Sequence, residues 1–264
     1  MPQFCTNLQR RVSKMKTGLT RWLMSIGLAG TTLLGTMFPA LALTQAEIEE
    51  RLEAIPVFTV TDANGAPLVA RVEDQLFAGI FINPTDADAF RQRVITQNAD
   101  LNNNVQVIPV SMREIYRIER ERAAQRNAVE ENIDFVYIPE QQQLELAQSL
   151  LPPDQEIQGV PLFAVRVSDS SQPGSNNSVY LTLQQEDGSP VVPFYFSKQQ
   201  ADALAQRYRE STSLPANSNA VTIEVSTLEV ILANWEQSDQ PGLQQIFLVP
   251  SPAAIQRATA GNAQ

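Results

Sequence analysis

The sequence predicts an α+β fold made by internal duplication: two similar mixed α/β halves related by a pseudo-twofold axis. Three repeated phrases carry this expectation. Ile55–Val60, IPVFTV, returns as Val160–Val165, VPLFAV. Asp86–Val94, DADAFRQRV, returns as Gln200–Tyr208, QADALAQRY, with five of nine residues identical at a spacing of 114. Ser111-Met-Arg-Glu114 returns as Ser226-Thr-Leu-Glu229 at a spacing of 115. The first pair is spaced by only 105, and an insertion of about nine residues at the polar run Ser168–Ser178 accounts for the difference. Two long copies are not a solenoid, whose units are shorter and more numerous.

The elements follow in chain order. Thr44-Gln-Ala-Glu47 is a capping box, opening a helix over about 45–54 with Ile48, Leu52 and Ile55 on one side. IPVFTVT is a strand that stops at the turn signal Asp62-Ala-Asn-Gly65. PLVARV returns, and LFAGIFI (76–82) is a third strand. Asn83-Pro-Thr-Asp86 starts a helix, with Asn as N-cap and Pro in the first turn. That helix presents Ala87, Phe90 and Val94 on one face. Strand VQVIPV (105–110), a capping box at Ser111–Glu114 and a charged helix to about Asn127 come next. Strand IDFVYIP (133–139) and helix EQQQLELAQSLL close the first half before Pro152-Pro153. The second half repeats the order: strand VPLFAV, strand VYLTLQ (179–184), a turn at Asp187-Gly188 and strand VVPFYF (191–196). Then follow a capping box at Ser197–Gln200, its helix, strand AVTIEVS (220–226), a capping box at Ser226–Glu229, strand IFLVP and helix PAAIQRATA. LFAGIFI and VVPFYF lack strict alternation, so either both faces of these strands are covered or one lines an apolar groove.

The first 42 residues read differently. Arg10, Arg11, Lys14, Lys16 and Arg21 precede an apolar run broken by Gly and Thr, which ends in Pro39-Ala-Leu-Ala42. A basic start, an apolar run and a small-x-small ending make a cleaved secretory signal peptide. An uncleaved anchor would want about 20 strongly apolar residues. The expected organisation is residues 1–42 as signal peptide, 43–151 as the first half, 152–159 as a linker and 160–264 as the second half. Both halves form one globular unit with no integral membrane segment after cleavage.

Removing residues 1–42 takes away five basic residues and no acid, so the net charge moves from −10 to −15. An acidic surface argues against nucleic acid and anionic lipid as partners. The chain has no histidine, and Cys5, its one cysteine, lies in the signal peptide. That removes disulfides, Cys or His metal sites, and Ser-His-Asp or Cys-His nucleophiles from the mature chain. No cofactor is expected. Carboxylate chemistry is the enzyme alternative, with Asp62, Asp86, Asp88 and Glu114 near element ends. Asp86 and Glu114 read better as helix-start residues, so the expectation is a protein that is not an enzyme.

Large apolar residues occupy matching places in the two halves: Phe58 with Phe163, Phe81 with Tyr195, and Ile82 with Phe196. As core they build a duplicated sheet. As candidates for function they line shallow apolar pockets that bind extended client segments. The helix REIYRIERERAAQRNAVEEN alternates charge at four-residue spacings, the pattern of a solvated face, with a docking surface as the alternative.

The phrases themselves carry a resemblance. VPVF-like IPVF with TDANGAPLV, then GIFI and the capped DADAF helix, then VQVIPVSMREIY, and later GVPLF, VVPFYFSKQQ and IFLVPS resemble the Tic family's 22-kilodalton subunit, over roughly residues 47–252. The resemblance implies a soluble protein of the cyanobacterial periplasm, or of the equivalent plastid intermembrane space, with a peripheral position on the envelope or thylakoid membrane as the alternative. It also implies a pseudo-twofold fold with apolar pockets, and chaperone-like escort of unfolded clients in outer-membrane biogenesis or translocation, in contact with an Omp85-type assembly factor. The family brings no catalytic residues. The alternative is a scaffold or adaptor of an envelope translocation complex.

Overall fold

The computed structural model describes residues 42–73, 75–98, 101, 104–124, 133–168, 178–215 and 218–261. Residues 1–41, where a signal peptide is expected, most of the polar run at 169–177 and the far end of the charged helix lie outside the described residues.

Among the described residues there are seven α-helices and two mainly antiparallel sheets. Helix α1 (Gln45–Leu52) precedes strands β1 (Pro56–Asp62), β2 (Val69–Val72) and β3 (Gln75–Phe81). Then come α2 (Pro84–Gln97), β4 (Val105–Ser111), α3 (Met112–Ala124), β5 (Ile133–Ile138) and α4 (Gln141–Ser149). The second sheet is made by β6 (Pro161–Ser168), β7 (Ser178–Tyr180), β8 (Leu183–Gln184), β9 (Pro190–Tyr195), β10 (Val221–Thr227) and β11 (Ile246–Val249). Helices α5 (Lys198–Ser211), α6 (Leu228–Gln237) and α7 (Pro252–Gly261) accompany it.

The two sheets share a pairing order. β1 runs antiparallel to β4, and β6 antiparallel to β10. β3 is joined in parallel by β5, and β9 by β11. Phe58 stands opposite Phe81, and Phe163 opposite Tyr195. Smaller contacts match as well. The Met112 amide donates to Ile55 O at 2.8 Å, and the Leu228 amide to Val160 O at 2.9 Å. The Ile82 amide reaches Ile138 O and the Phe196 amide reaches Val249 O, both at 3.1 Å. Arg91 caps the Val105 carbonyl from α2, and Arg209 caps the Val221 carbonyl from α5.

Strand alternation decides what each face meets. Val57, Ile80, Ile82 and Tyr137 turn from the first sheet into a central core, where Leu162, Ala164, Phe194, Phe196 and Leu248 of the second sheet meet them. Ile48 and Leu52 of α1, Ile115 of α3, and Ile231 and Trp235 of α6 complete that core. The opposite faces are covered by helices. Phe58, Val60 and Phe81 lie beneath α2 and α7, while Phe163, Val165 and Tyr195 lie beneath α4 and α5. LFAGIFI and VVPFYF lack alternation because both their faces are covered.

The outer helices are exchanged between the sheets. Helix α4, which the sequence places at the end of the first half, packs on β6 and α5. Helix α7, at the end of the second, packs on β1, β4 and α2.

Local chemistry differs from expectation at four places. At Thr44 the capping box forms as read, with both reciprocal bonds present. At Ser111 half of it forms: the hydroxyl accepts from the Arg113 amide at 3.2 Å and donates to Glu53 O at 2.8 Å, while Glu114 pairs with Arg117 instead of closing the box. At Ser197 the hydroxyl donates to Gln199, and the exposed Lys198 amide is met by Gln143 of α4 at 2.8 Å. At Ser226 the cap shifts by one residue, to Thr227, whose hydroxyl accepts from the Val230 amide. In each case a partner distant in sequence or a neighbouring residue satisfies the helix start. VYLTLQ is two short strands, because the chain changes partner midway: β7 pairs with β6 and β8 with β9.

Candidate functional site

Both hairpin turns are fixed by an Asp and a Gly. Asp62 Oδ1 accepts from the Asn64 and Ala66 amides at 2.8 and 2.9 Å, and Gly65 takes φ +84°. Asp187 Oδ1 accepts from the Ser189 amide at 2.8 Å beside Gly188 at φ +83°. The carboxylates of the enzyme alternative are therefore occupied: Asp62 holds a turn, Asp88 faces Arg257 at 3.5 Å, and Glu114 pairs with Arg117. Asp86 sits in the first turn of α2, where burial and then the nearby Glu140 charge push its carboxyl up.

All six apolar candidates are buried. Phe58 and Phe81 pack beneath α2 and α7, Phe163 and Tyr195 beneath α4 and α5, and Ile82 and Phe196 join the central core. Their pairing in the sequence is thus the pairing of equivalent core positions. Ile82 and Phe196 do meet at a crevice between the sheets, lined also by Ile55, Pro56, Val57, Pro250, Ser251 and Ala254. It is too narrow to admit a water molecule.

Exposed apolar side chains lie elsewhere. Leu183 is 39% exposed and Phe247 46% exposed. Leu183 stands opposite Val191, and Phe247 opposite Pro193, on the two sides of β9. Val191 and Pro193 share a face, since Val192 and Phe194 turn into the central core. Leu183 and Phe247 therefore flank one outer face of the second sheet. The period-two pattern of IFLV contained this signal: with Ile246 and Leu248 inward, Phe247 must point out.

The seam between α3, β5 and α6 concentrates charge. Tyr116 donates to Glu236 Oε1 at 3.0 Å, and Arg120 pairs with the same carboxylate at 3.2 Å. Burial, then the Glu236 contact, push the Tyr116 hydroxyl up. Next to them Glu119 turns inward towards the Tyr137 hydroxyl, which is buried and completes no hydrogen bond of its own among the described residues. Burial is the main cause raising Glu119 to about 7; Glu236 and Asp134 add to it, while Arg120 and Tyr137 oppose it. Arg51 reaches across to cap the Ile246 carbonyl at 3.1 Å and lies over the Trp235 ring. Glu229 takes the Val160 amide on both oxygens, at 3.0 and 3.2 Å, where β6 begins. Alternating charge on α3 was legible, but these contacts between elements distant in sequence were not.

Arg117 of α3 is paired with both Glu114 and Glu121, so the exposed face of that helix is largely self-neutralised. No helix among the described residues is long and apolar enough to cross a membrane.

Two mixed sheets of matching pairing order, facing each other across one core and covered outside by exchanged helices, define the class of fold. The chain belongs to the Tic22-like family, whose model matches residues 1–260. It is 22% identical over 217 residues to the chloroplastic protein TIC 22 of Arabidopsis thaliana, spanning 80% of this chain and 70% of that protein. Its fold is similar to Anabaena Tic22, titled as protein transport, with a TM-score of 0.67 at 22% identity, covering 83% of this chain and 97% of the other. Tic22 from Plasmodium falciparum is similar with a TM-score of 0.63 at 21% identity, over 82% and 98% of the two chains.

Proposed function

We propose that this protein is a chaperone-like factor of the periplasm that binds unfolded or extended clients during outer-membrane biogenesis or protein translocation. Membership of the Tic22-like family carries the reading, since a solved relative is titled as protein transport. The apolar outer face around Leu183 and Phe247 supports client contact, because extended segments gain affinity by burying apolar side chains. In this reading the protein acts by binding alone, without catalysis, and delivers clients to an Omp85-type assembly factor. The matching pairing order of the two sheets is read as the product of duplication.

The test is aggregation of a urea-unfolded outer-membrane β-barrel protein diluted into buffer. Substoichiometric chain lowers light scattering if the reading holds. Unchanged scattering, together with no capture of the assembly factor's periplasmic domains, removes it. Arg117, one of the cations an adaptor surface on α3 would use, is paired with Glu114 and Glu121, which favours the client reading over the adaptor alternative.

A further inference from the structure

Helix α7 is poorly held for an element that covers so much apolar surface. Of its residues only Ala254 is fully buried, with Ala258 half-buried, while Ile255 is 45% exposed. Beneath it lie Phe58, Val60, Phe81 and the half-buried Phe90 and Val107. Its polar tie to α2, Arg257 with Asp88 at 3.5 Å, joins two half-exposed side chains and holds weakly. The other exchanged helix differs. α4 buries Ala147 and fastens itself through Gln143, which accepts from the Lys198 amide at 2.8 Å and donates to Gln199 at 3.0 Å. The narrow crevice lined by Ile82, Phe196, Pro250 and Ala254 lies under the first turn of α7.

We propose that α7 is a displaceable lid, and that an unfolded client's apolar segment takes its place on the outer face of β1 and β4. This rests on the client-binding reading above. Displacement is favoured because an incoming Leu or Phe buries more apolar area on this face than Ala254 does. The aromatic residues singled out in the sequence, Phe58 and Phe81 above all, then meet the client only when the lid is open.

The experiment tethers the lid in the full chain. Cys5→Ser, Asp88→Cys and Arg257→Cys leave two thiols, one on each helix, to be joined by a cleavable bismaleimide. The probe is the urea-unfolded β-barrel protein, and the two single-cysteine chains are controls. The tethered chain is expected to need at least fivefold more protein for the same suppression of scattering, and to recover when the linker is cleaved. Equal suppression by tethered and cleaved chains overturns the lid while leaving client binding standing. If the untethered chain suppresses nothing, the client reading fails. Hydrogen exchange then judges the lid alone: α7 amides should exchange at least tenfold faster than those of α4, and Ala254→Gly should speed them further. Equal protection of the two helices overturns the proposal.

Discussion

Replacing Glu119 by Gln should stabilise the protein, and should do so only above acid pH. Glu119 lies half-buried on α3 near Tyr137, Asp134 and Glu236, where burial disfavours its charge and raises its pKa from 4.5 to about 7. In the unfolded chain the carboxyl loses its proton near the ordinary value. Below about pH 4.5 both states are protonated and the site costs nothing. Between there and pH 7 the folded state holds a proton that the unfolded state has released, so stability falls as pH rises. Above pH 7 the cost is complete. A shift of this size corresponds to roughly 3 kcal/mol at most, at about 1.4 kcal/mol per unit.

The Gln amide keeps the shape yet carries no charge to bury. The variant should therefore gain about 1–3 kcal/mol at pH 8 and match the parent near pH 4. For a chain of this size that is a rise in Tm of a few degrees or more at pH 8. The assay is urea unfolding followed by Trp235 fluorescence, run on both proteins from pH 4 to 8.5. Trp235 is buried in the central core and donates to Leu243 O at 2.9 Å, so it reports the seam itself. Parallel stability curves for the two proteins across the range would refute the reasoning, as would a gain confined to pH 4.

Gly159→Ala should be costly for a local reason. Gly159 takes φ +99°, and an added Cβ would fall 2.1 Å from a Glu229 oxygen, displacing the carboxylate that holds the Val160 amide. A loss of about 2 kcal/mol or more is expected in chemical unfolding, and an unchanged midpoint would contradict it. Phe58→Ala and Phe163→Ala should each cost about 3–5 kcal/mol, since both side chains are fully buried at equivalent positions. Near-neutral values would show that these rings are not core. Gln143→Ala should cost about 1–2 kcal/mol and raise hydrogen exchange at the start of α5, because the Lys198 amide loses its acceptor.

Most elements were legible from local signals. Alternation, Asp-Gly turns and the repeated phrases located every strand to within a few residues, because those signals act within one turn or one pleat. The turn at Asp62–Gly65 and the cap at Thr44 are closed by residues four apart or fewer, and both read correctly. The full boxes at Ser111, Ser197 and Ser226 did not, because Glu114 turns to Arg117, Gln143 meets the Lys198 amide, and the cap at Ser226 moves to Thr227 while Glu229 turns to Val160. Glu53, Gln143 and Val160 lie 58, 55 and 69 residues from the groups they meet. No local pattern encodes such distances. The apolar candidates show the same limit. Matching positions marked Phe58 and Phe163 as equivalent, but equivalence says nothing about exposure. Only the helices lying over each sheet decide that.

The exchange of α4 and α7 gives the repeat its physical meaning. A sheet whose inner face meets the partner sheet still needs cover on its outer face. Here that cover comes partly from the neighbouring half in each direction. Each half therefore depends on the other twice, once across the central core and once through a borrowed helix. The two loans are not equal. α4 is fixed by a buried glutamine, whereas α7 rests on one alanine and a surface ion pair. Two sheets alike in pairing order thus differ in how their outer helices are held. One outer face is covered by a tied helix, with Leu183 and Phe247 exposed at its flank, and the other by the helix proposed to yield to a client.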